Sequence, residues 1–357
     1  MIEIRTYEGD GADAAEMMGR AWRAAYGGRS WCPFWDAEYL RWQLLADRPG
    51  GRDFLVAAYD GRKLAGCFFA ERATFRADGR NLAGTIGGWF TVDPEAKVPR
   101  LGLRITEELR SRHLAHDVAF MLAYVNGKPA TAAHRFWAGY ARLYPQQIRF
   151  VRRVGYWVRV LNPKSLRPKC LHRFEKFGAW VHGVVPLLWP PRRTARDIRA
   201  FKETDLDACG KLAADATLAA DLAVQWSPER LSVQLGGGGF PRTFVLDRPG
   251  APGPAGLINY HRFGLLGADV VSAGLIDLLA ATNRPFRDRR RLLRDALARM
   301  AREGLDAAIA LRAPMFPARL MLSCGFWPVP EADHLVYVFP HPDLKLPPAA
   351  RPCVLFR

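Results

Sequence analysis

The stretch Thr91–Leu109, TVDPEAKVPRLGLRITEEL, joins the end of a strand to the start of a helix through a short loop. The residues before the loop, NLAGTIGGWFTV at 81–92, are rich in aromatic, β-branched and glycine residues. Such a composition favours a strand that another backbone approaches closely. After the loop, Leu101, Ile105 and Leu109 recur every fourth residue with charged residues between them, which predicts an amphipathic helix.

The loop of this stretch carries two cations, Lys97 and Arg100, immediately before the helix. A helix N-terminus presents unpaired N–H groups and the positive end of the helix dipole, which together favour a bound anion. Many strand-to-helix connections also contain cations next to a helix N-terminus. The stretch alone therefore leaves two interpretations open, an anion cradle and a plain connection.

The length and composition indicate a globular chain of two ordinary domains, since the chain has 357 residues of which 49% are hydrophobic. No run of about 18 uncharged apolar residues occurs, and the start MIEIRTYEGDG lacks the pattern of a signal peptide. We therefore expect a cytoplasmic protein. The six cysteines form no C-x-x-C pair, which indicates small buried hydrophobic residues rather than a zinc site or disulfides.

The net charge of +17 is concentrated in two short segments. Residues 160–199 hold nine Lys or Arg against two acids, and residues 284–294 hold six Arg against one Asp. Localised positive charge of this kind suggests an anionic partner, such as cofactor phosphates, an acidic protein, a membrane surface or nucleic acid. A solvated basic surface explains the same charge equally well.

An internal repeat organises the chain. WDAEYLRWQL at 35–44 and WSPERLSVQL at 226–235 share W-x-x-E-x-L-x-x-Q-L at an offset of 191 residues. Further along, Phe54 recurs as Phe244 at an offset of 190. Order and spacing persist through the chain, so we infer a tandem duplication.

Each copy is predicted to have the order β-α-α-β-β-β-α-β-α-β, with a closing hairpin that ends at 155–163 in the first copy and 334–342 in the second. The fold class is α/β (α+β), with a mixed central sheet flanked by helices in each half. We expect an N-terminal domain over 1–162, a basic amphipathic linker over 163–196 and a C-terminal domain over 197–357.

This element order, with a cationic turn after the fourth strand, resembles the GNAT acyltransferase superfamily, and the duplication is similar to that of N-myristoyltransferases. The family motif is roughly V-x-P followed by R/Q-x-x-G-x-G/A, and the chain has VDP at 92–94 and KVPRLG at 97–102. Lys97 matches the first basic residue and Gly102 the last glycine. The chain departs from the motif where Arg100 replaces the middle glycine, and a proline before it removes one backbone donor.

The resemblance implies an acyl-CoA-dependent N-acyltransferase with acetyl-CoA as the default donor, a primary amine of a small molecule or peptide as acceptor, and no metal. The coenzyme A pyrophosphate would lie on the helix N-terminus, and the pantetheine arm would lie where the fourth and fifth strands part. The second copy has TNRPFRDRRRLL at 282–293, without glycine, so we expect that half to keep the fold and lack the cradle. The cofactor-binding residues implied are Val92, Lys97, Arg100, Leu101, Gly102 and Leu103.

Acyl transfer to an amine needs a proton acceptor for the amine and a proton donor for the leaving thiolate. Glu71 is the acid best placed for the first role, and a strand Glu paired with Arg72 or Arg76 is the alternative interpretation. The family's usual acid, a Tyr on the last helix, is missing from its position. Tyr140 and Tyr144 are the nearest substitutes, although aromatic residues in this pattern are also typical of a core.

Aromatic residues cluster where the family closes its acceptor pocket. Trp35 and Trp226 occupy the same place in both copies, which favours core packing. Trp31 and Phe34 are absent from the second copy and are the candidates for contact with substrate. The eight histidines show no metal-ligand spacing and receive no role.

Asp277 is an acid in an apolar strand, and a buried Asp needs a partner. We expect it to anchor Arg284 or Arg287; binding of a substrate amine is the alternative.

The linker contains Leu171, Phe174, Phe177, Trp180 and Val181 at helical spacing, flanked by basic residues. Such a pattern is typical of an interfacial membrane helix or of a helix that packs between domains. A second hypothesis for the whole chain follows from the same charge. In it, a catalytically degenerate pair binds an acidic macromolecule or an anionic membrane through 160–199; no recognition motif supports nucleic acid.

Overall fold

A computed structural model describes most of the chain, and the structural statements below refer to that part. The described residues are 2–44, 50–77, 79–129, 131–185, 189–191, 193–250, 253–282, 285–341, 343–344, 346, 349 and 351–355.

The first half contains seven strands and four helices in the predicted order, with one added short strand between the first two helices. In chain order they are β1 Ile2–Thr6, α1 Ala12–Tyr26, β2 Cys32–Phe34, α2 Ala37–Gln43, β3 Leu55–Asp60, β4 Lys63–Ala77, β5 Arg80–Val92, α3 Leu101–Ala115, β6 Phe120–Asn126, α4 Ala132–Leu143 and β7 Ile148–Val160.

Two linker helices follow, and the second half then repeats the order of the first, again with a short strand between its first two helices. These elements are α5 Pro163–Lys169, α6 Arg173–Val184, β8 Ile198–Ala200, α7 Leu206–Thr217, β9 Leu222–Gln225, α8 Pro228–Gly236, β10 Arg242–Leu246, β11 Gly256–Leu266, β12 Val270–Ala281, α9 Pro285–Arg302, β13 Ala307–Leu311, α10 Ala318–Ser323, β14 Trp327–Val338 and β15 Pro352–Cys353.

One mixed sheet runs through both halves, which confirms the predicted fold class. Its main path is β1-β3-β4-β5-β6-β14-β7-β13-β12-β11-β10-β8. Along this path β5 pairs with β6, and β12 with β13, in parallel; the other neighbours are antiparallel. The parallel pair of each half is joined by a helix, α3 in the first half and α9 in the second.

The two halves exchange their last strands. β14, from the second half, lies between β6 and β7, and β7 lies between β14 and β13. The closing hairpins predicted from the sequence are therefore wrong: each half ends in one long strand whose partners include the other half's final strand. Alternating apolar residues at a chain segment's end predict a strand, but they do not show which strand it pairs with.

The added short strands also cross between halves. β2 pairs with β11, with Phe34 opposite Gly264, and β9 pairs with β4, with Val224 opposite Phe75. Strand pairs therefore join the halves at five places, three in the centre of the sheet and two at its sides.

Helices cover both faces of the sheet in the first half. α3 and α4 pack on one face around a core that includes Ile105, Leu109 and Trp137. α1 and α2 pack on the other face, where the core also contains residues of the second half such as Phe263 and Leu335. One hydrophobic core is thus shared across the duplication.

All six cysteines are buried free thiols, as the sequence predicted. Among the described residues, no helix combines the length and the apolar character needed to span a bilayer.

The apolar residues of the linker helix α6 have the predicted helical spacing. The helix does not pack between the two domains through them, which was one of the two interpretations of its sequence. Phe174, Phe177 and Trp180 are exposed, whereas the buried residues of α6 are Ala179 and His182. The apolar stripe of this helix therefore faces away from the core.

The exchanged strands predict that residues 1–162 will not fold alone, because β6 would lose its neighbour β14 and β7 would lose both of its neighbours. We expect this fragment to melt without a cooperative transition, and an equimolar mixture with fragment 163–357 to recover one transition like that of the intact chain. Circular dichroism melting of each fragment and of the mixture tests this. A cooperative melt of 1–162 alone would contradict it.

Candidate functional site

Strands β5 and β6 part near the middle of the first half. Their parallel ladder ends at Gly87 opposite Ala123, whereas β5 continues to Val92 and β6 to Asn126. The strands part where the family resemblance implies, and the opening lies at the carboxyl ends of two parallel strands. This is the usual place for a ligand in an α/β sheet.

A bulge in β5 lies beside this opening. The β4–β5 register shifts between Cys67 and Phe69, and Trp89, on the bulged side, has a φ of 56°. Positive φ is strained for a bulky residue, and bulges of this kind are common next to active sites. The indole N–H of Trp89 is buried and has no hydrogen-bond partner among the described residues, so a donor is left unpaired here.

Asp93 fixes the loop that leaves β5. Its side chain is buried and accepts hydrogen bonds from Arg20 Nη2 at 2.7 Å and from the Glu95 N–H at 3.0 Å. Its own N–H donates to the Ala65 carbonyl, and its carbonyl accepts from the Ala96 N–H. Burial works against ionisation, but the Glu95 N–H and the Arg20 guanidinium outweigh it and hold the pKa of Asp93 below its usual value.

The loop then reaches an uncapped helix N-terminus. Arg100, at the N-cap of α3, adopts the left-handed conformation with φ 58° and ψ 22°, which glycine adopts without strain. Its side chain does not cap the helix, and the first turn holds no acid. Within the described part of the chain, the N–H groups of Leu101, Gly102 and Leu103 have no acceptor, and the exposed side chains of Lys97 and Arg100 have no ion-pair partner.

Gly102 allows this helix end to lie close to an aromatic pair. A Cβ added there would lie 3.1 Å from Phe90 and 3.2 Å from Phe136. Leu101 is buried beside them and Val92 is half-buried at the end of β5. The predicted cofactor-binding residues thus come together in one loop and one helical turn, with three free N–H groups and two free cations.

Tyr140 and Tyr144 lie farther along the same face. Tyr140 is buried and donates to Gln147 Oε1 at 2.8 Å, and burial raises its pKa to about 12. Tyr144 donates to Glu107 Oε1 at 2.9 Å, and Glu107 lies about 9 Å along α3 from Leu101. Both hydroxyls have partners, one in the turn after α4 and one on α3, and their role as proton donor stays a prediction.

Glu71 is buried in an ion pair between the halves. Its Oε2 lies 3.1 Å from Nη2 of Arg230 on α8, whose Nη1 donates to the Arg72 carbonyl at 2.7 Å. The guanidinium also lies over the Trp226 ring. The described ion pair of Glu71 is thus with Arg230 of the second half, whereas the sequence analysis expected Arg72 or Arg76. Glu71 could act as proton acceptor only if this buried ion pair with Arg230 were broken.

Trp31 and Phe34 lie at the seam between the halves and the linker. The Trp31 indole donates to Glu175 Oε1 on α6 at 2.8 Å. Phe34 forms part of the β2–β11 ladder, and the Arg23 guanidinium lies 4.6 Å from its ring centre. These contacts are structural, and contact of either residue with a substrate stays a prediction.

Asp277 is a buried acid whose described partners are Gln234 and His261. This residue forms the bulge of β12 and accepts from Gln234 Nε2 at 2.8 Å, with His261 Nδ1 3.1 Å away. Arg287, one predicted partner, is exposed on α9, and Arg284 lies outside the described residues. His261, to which the sequence analysis gave no role, thus lies next to a buried acid.

The sequence analysis missed Asp333, a residue that the exchange of strands brings to the first half. Asp333 lies on β14 opposite Asn126, the last residue of β6, and accepts from the Tyr156 hydroxyl of β7 at 2.5 Å. Burial raises the pKa of Asp333, and the Tyr156 hydrogen bond and the Lys128 charge only partly oppose this. No local motif could have found it, because its neighbours come from the other half.

Among the described residues, no group of three or more His, Cys, Asp or Glu side chains could hold a metal ion.

Solved structures show what this architecture is similar to. N-myristoyltransferase of Saccharomyces cerevisiae with bound myristoyl-CoA matches 99% of this chain and 86% of its own, with a TM-score of 0.72 and 15% identity. A GCN5-related N-acetyltransferase from Anabaena variabilis matches 94% and 72%, with a TM-score of 0.51 and 9% identity. No family model and no curated protein sequence matches the chain. The chain therefore has the duplicated GNAT fold that the sequence predicted.

The buried pair predicts a double-mutant result. Arg230→Met leaves the Glu71 carboxylate buried without its cation and is expected to lower the free energy of unfolding by about 3 kcal/mol. Adding Glu71→Gln should restore most of this loss, as urea unfolding will show. Arg351→Met, which removes the exposed pair with Asp221, is the matched control and should change stability by less than about 1 kcal/mol. Equal losses in the single and double variants would contradict the pairing.

Proposed function

We propose that the protein is an acyl-CoA-dependent N-acyltransferase that moves a short acyl group, acetyl by default, to a primary amine of a small molecule or peptide. The observation that carries the proposal is the opening between β5 and β6 beside an uncapped, cation-flanked helix N-terminus. The bound myristoyl-CoA of the yeast enzyme and the activity named for the Anabaena protein support an acyl-CoA donor.

The residues present fit coenzyme A. The N–H groups of Leu101, Gly102 and Leu103 would hold the pyrophosphate, since an anion at a helix N-terminus gains both hydrogen bonds and dipole stabilisation. Lys97 and Arg100 would add charge-assisted contacts. The pantetheine arm would lie between the parted strands beside Val92, where peptide groups past the end of the ladder have no partner on the facing strand.

The filled core beside the opening favours a short acyl chain. Trp35, Tyr39 and Trp89 are buried there, with Trp35 and Tyr39 stacked at 4.2 Å and both close to Trp89. A long acyl chain needs an apolar cavity of its own, and these rings already occupy the space on that face of the sheet. A thermal-shift series from acetyl-CoA to myristoyl-CoA measures the preferred length.

The reaction needs one proton acceptor and one proton donor. The amine nitrogen attacks the thioester carbonyl, the new C–N bond replaces the C–S bond, the amine loses a proton and the coenzyme A thiolate gains one. Bound acyl-CoA supplies the activated carbonyl. A carboxylate with a raised pKa suits the acceptor role, because its affinity for protons approaches what neutral pH requires.

We assign the acceptor role to Asp333 rather than to Glu71. Glu71 is held by Arg230, whereas Asp333 is only partly buried and its recorded hydrogen bond comes from the neutral Tyr156 hydroxyl. Asp333 also lies opposite Asn126, at the end of β6, which is one of the two strands that border the cleft. The second half would thus serve the first by supplying the strand that carries this carboxylate.

A second candidate function is a binding module for an acidic macromolecule. A cleft of about 840 Å³ between the linker and α9 is lined by Arg193, Arg287, Arg290, Arg291 and Arg294. One of these, Arg291, pairs with an Asp. The cleft favours an anionic ligand whether or not the chain is an enzyme, so calorimetry with acetyl-CoA separates the two functions. A pure binding module gives no heat with the nucleotide.

Removing the cradle's cations should weaken binding of coenzyme A without unfolding the protein. Lys97→Ala and Arg100→Gly are each expected to raise the Kd about five-fold, which corresponds to about 1 kcal/mol for a solvent-exposed charged contact. Arg100→Gly should leave the melting temperature nearly unchanged, because strain relief at positive φ offsets the added freedom of glycine in the unfolded chain.

Titration calorimetry with coenzyme A measures these constants. Lys211→Ala on α7 is the charge-matched control and should bind like the wild type. Binding of wild-type protein at micromolar to millimolar Kd is expected. Wild-type affinity in the Lys97→Ala, Arg100→Gly double variant would place the nucleotide elsewhere, and no heat with the wild type would overturn the function.

Replacing Asp333 should separate activity from stability. The pKa of Asp333 is raised in the folded state, so the ionised carboxylate opposes folding. The stability that protonated Asp333 contributes at low pH is lost as pH rises through that pKa. Asp333→Asn should therefore hold or raise the melting temperature at neutral pH, while kcat/KM falls by about 100-fold or more. The wild-type rise of kcat/KM with pH through the same group should disappear. Asp221→Asn, an exposed control, should change neither, and a fully active Asp333→Asn would exclude the role.

A further inference from the structure

The linker helix α6 presents an apolar stripe to solvent. Phe174 is 72% exposed, Phe177 63%, Trp180 46% and Val184 52%. These residues are spaced by three or four positions and therefore share one face of the helix. Exposed apolar residues are normal when scattered, but four large ones in a row on one helix mark a contact surface.

The stripe is held outward by contacts on the other side of the helix. Ala179 and His182, the buried residues of α6, lie roughly opposite the stripe at 100° per residue. Glu175 fixes the start of the helix, because it accepts hydrogen bonds from the Leu171 and His172 N–H groups and from the Trp31 indole. The helix thus packs on the rest of the protein through small and polar groups, and its aromatic side faces solvent.

Two further exposed tryptophans lie near the C-terminal end of α6. Trp327, the first residue of β14, is 56% exposed, and its ring centre lies 6.2 Å from that of His182. Trp189 is also exposed and donates its indole N–H to the carbonyl of Gly183 on α6. Tryptophan is enriched at membrane–water interfaces, where its ring is buried and its N–H stays wet.

Cations flank the stripe and remain available. Lys164, Arg167, Arg173 and Lys176 are exposed on α5 and α6, and none of them forms an ion pair within the described residues. Lys169, by contrast, is used internally against the buried Asp306 at 2.7 Å. Two of the free cations, Arg173 and Lys176, therefore lie on the helix that carries the stripe, and the other two lie on α5, which packs against α6.

We propose that α6 docks the protein on an anionic lipid bilayer, with the stripe inserted at the level of the headgroups and the cations on lipid phosphates. Aromatic residues on one face with Lys and Arg beside them are what a helix lying in the interface requires. A second copy of this chain is the less favourable occupant, because a two-fold interface would place the same free cations opposite each other. The inference does not depend on acyl transfer.

Vesicle co-sedimentation of the full-length chain tests the proposal. We expect binding to phosphatidylcholine–phosphatidylserine vesicles, weaker binding to pure phosphatidylcholine, and loss of affinity at high salt. The triple variant F174S/F177S/W180S should lower the partition coefficient by about ten-fold or more, since each buried ring removes a large apolar area from water. Replacing Lys164, Arg167, Arg173 and Lys176 by Gln should lower it about five-fold per cation.

A matched control is available in three exposed leucines away from the linker. The variant L143S/L218S/L322S removes exposed apolar surface of similar accessibility and should bind vesicles like the wild type. Circular dichroism melting confirms that both triple variants stay folded, as exposed positions predict.

Three outcomes would overturn the proposal. They are no binding of the wild type to anionic vesicles, equal loss of binding in the leucine control, and a wild-type dimer in sedimentation velocity that F174S/F177S/W180S converts to a monomer. The vesicle experiment measures lipid binding alone. Its failure would leave the calorimetry with coenzyme A unaffected, and a failure of the calorimetry would leave the vesicle result unaffected.

Discussion

Strands β6 and β13 would each end a sheet with unpaired backbone groups if the two halves folded apart. The exchange of β7 and β14 removes both edges, because each final strand pairs with the other half and with its counterpart. Buried strands must satisfy their N–H and C=O groups, so this pairing constrains the whole molecule. The shared core, the crossing strands β2 and β9 and the Glu71–Arg230 pair all lie at the joint it creates.

The two halves share the sheet, but they differ in the chemistry beside their parallel pairs of strands. In the first half the parallel ladder ends beside a bulged, buried Trp89 and leads to a helix end with free donors and cations. In the second half the matching bulge holds Asp277, whose carboxylate is bound by Gln234 and faces His261. A buried acid with internal partners stabilises a fold, whereas free donors at an opening are ready for a ligand. This difference favours the first half as the place where a cofactor binds.

The residues nearest the cleft show how far sequence reasoning reached. Lys97, Arg100 and Gly102 were found because a motif is local, and Arg100 adopts a left-handed conformation at the position where the motif has glycine. Asp93 lay within the quoted stretch, yet its role as the anchor of the loop depends on Arg20, far away in the chain. Asp333 and the true partner of Glu71 could not be found, since each involves the other half.

The sequence by itself determined the duplication, the order of helices and strands in each half, the mixed sheet and the cationic loop. These features follow from short-range periodicity and from a repeat that aligns over the chain. Only the tertiary structure decided which strands pair at the centre, which strand brings Asp333 next to β6 and which way the linker's aromatic stripe faces. The physical reason is that period-two and period-3.6 patterns specify an element and its apolar side. Strand partners and buried ion pairs are instead set by long-range closure of the sheet, which such patterns do not encode.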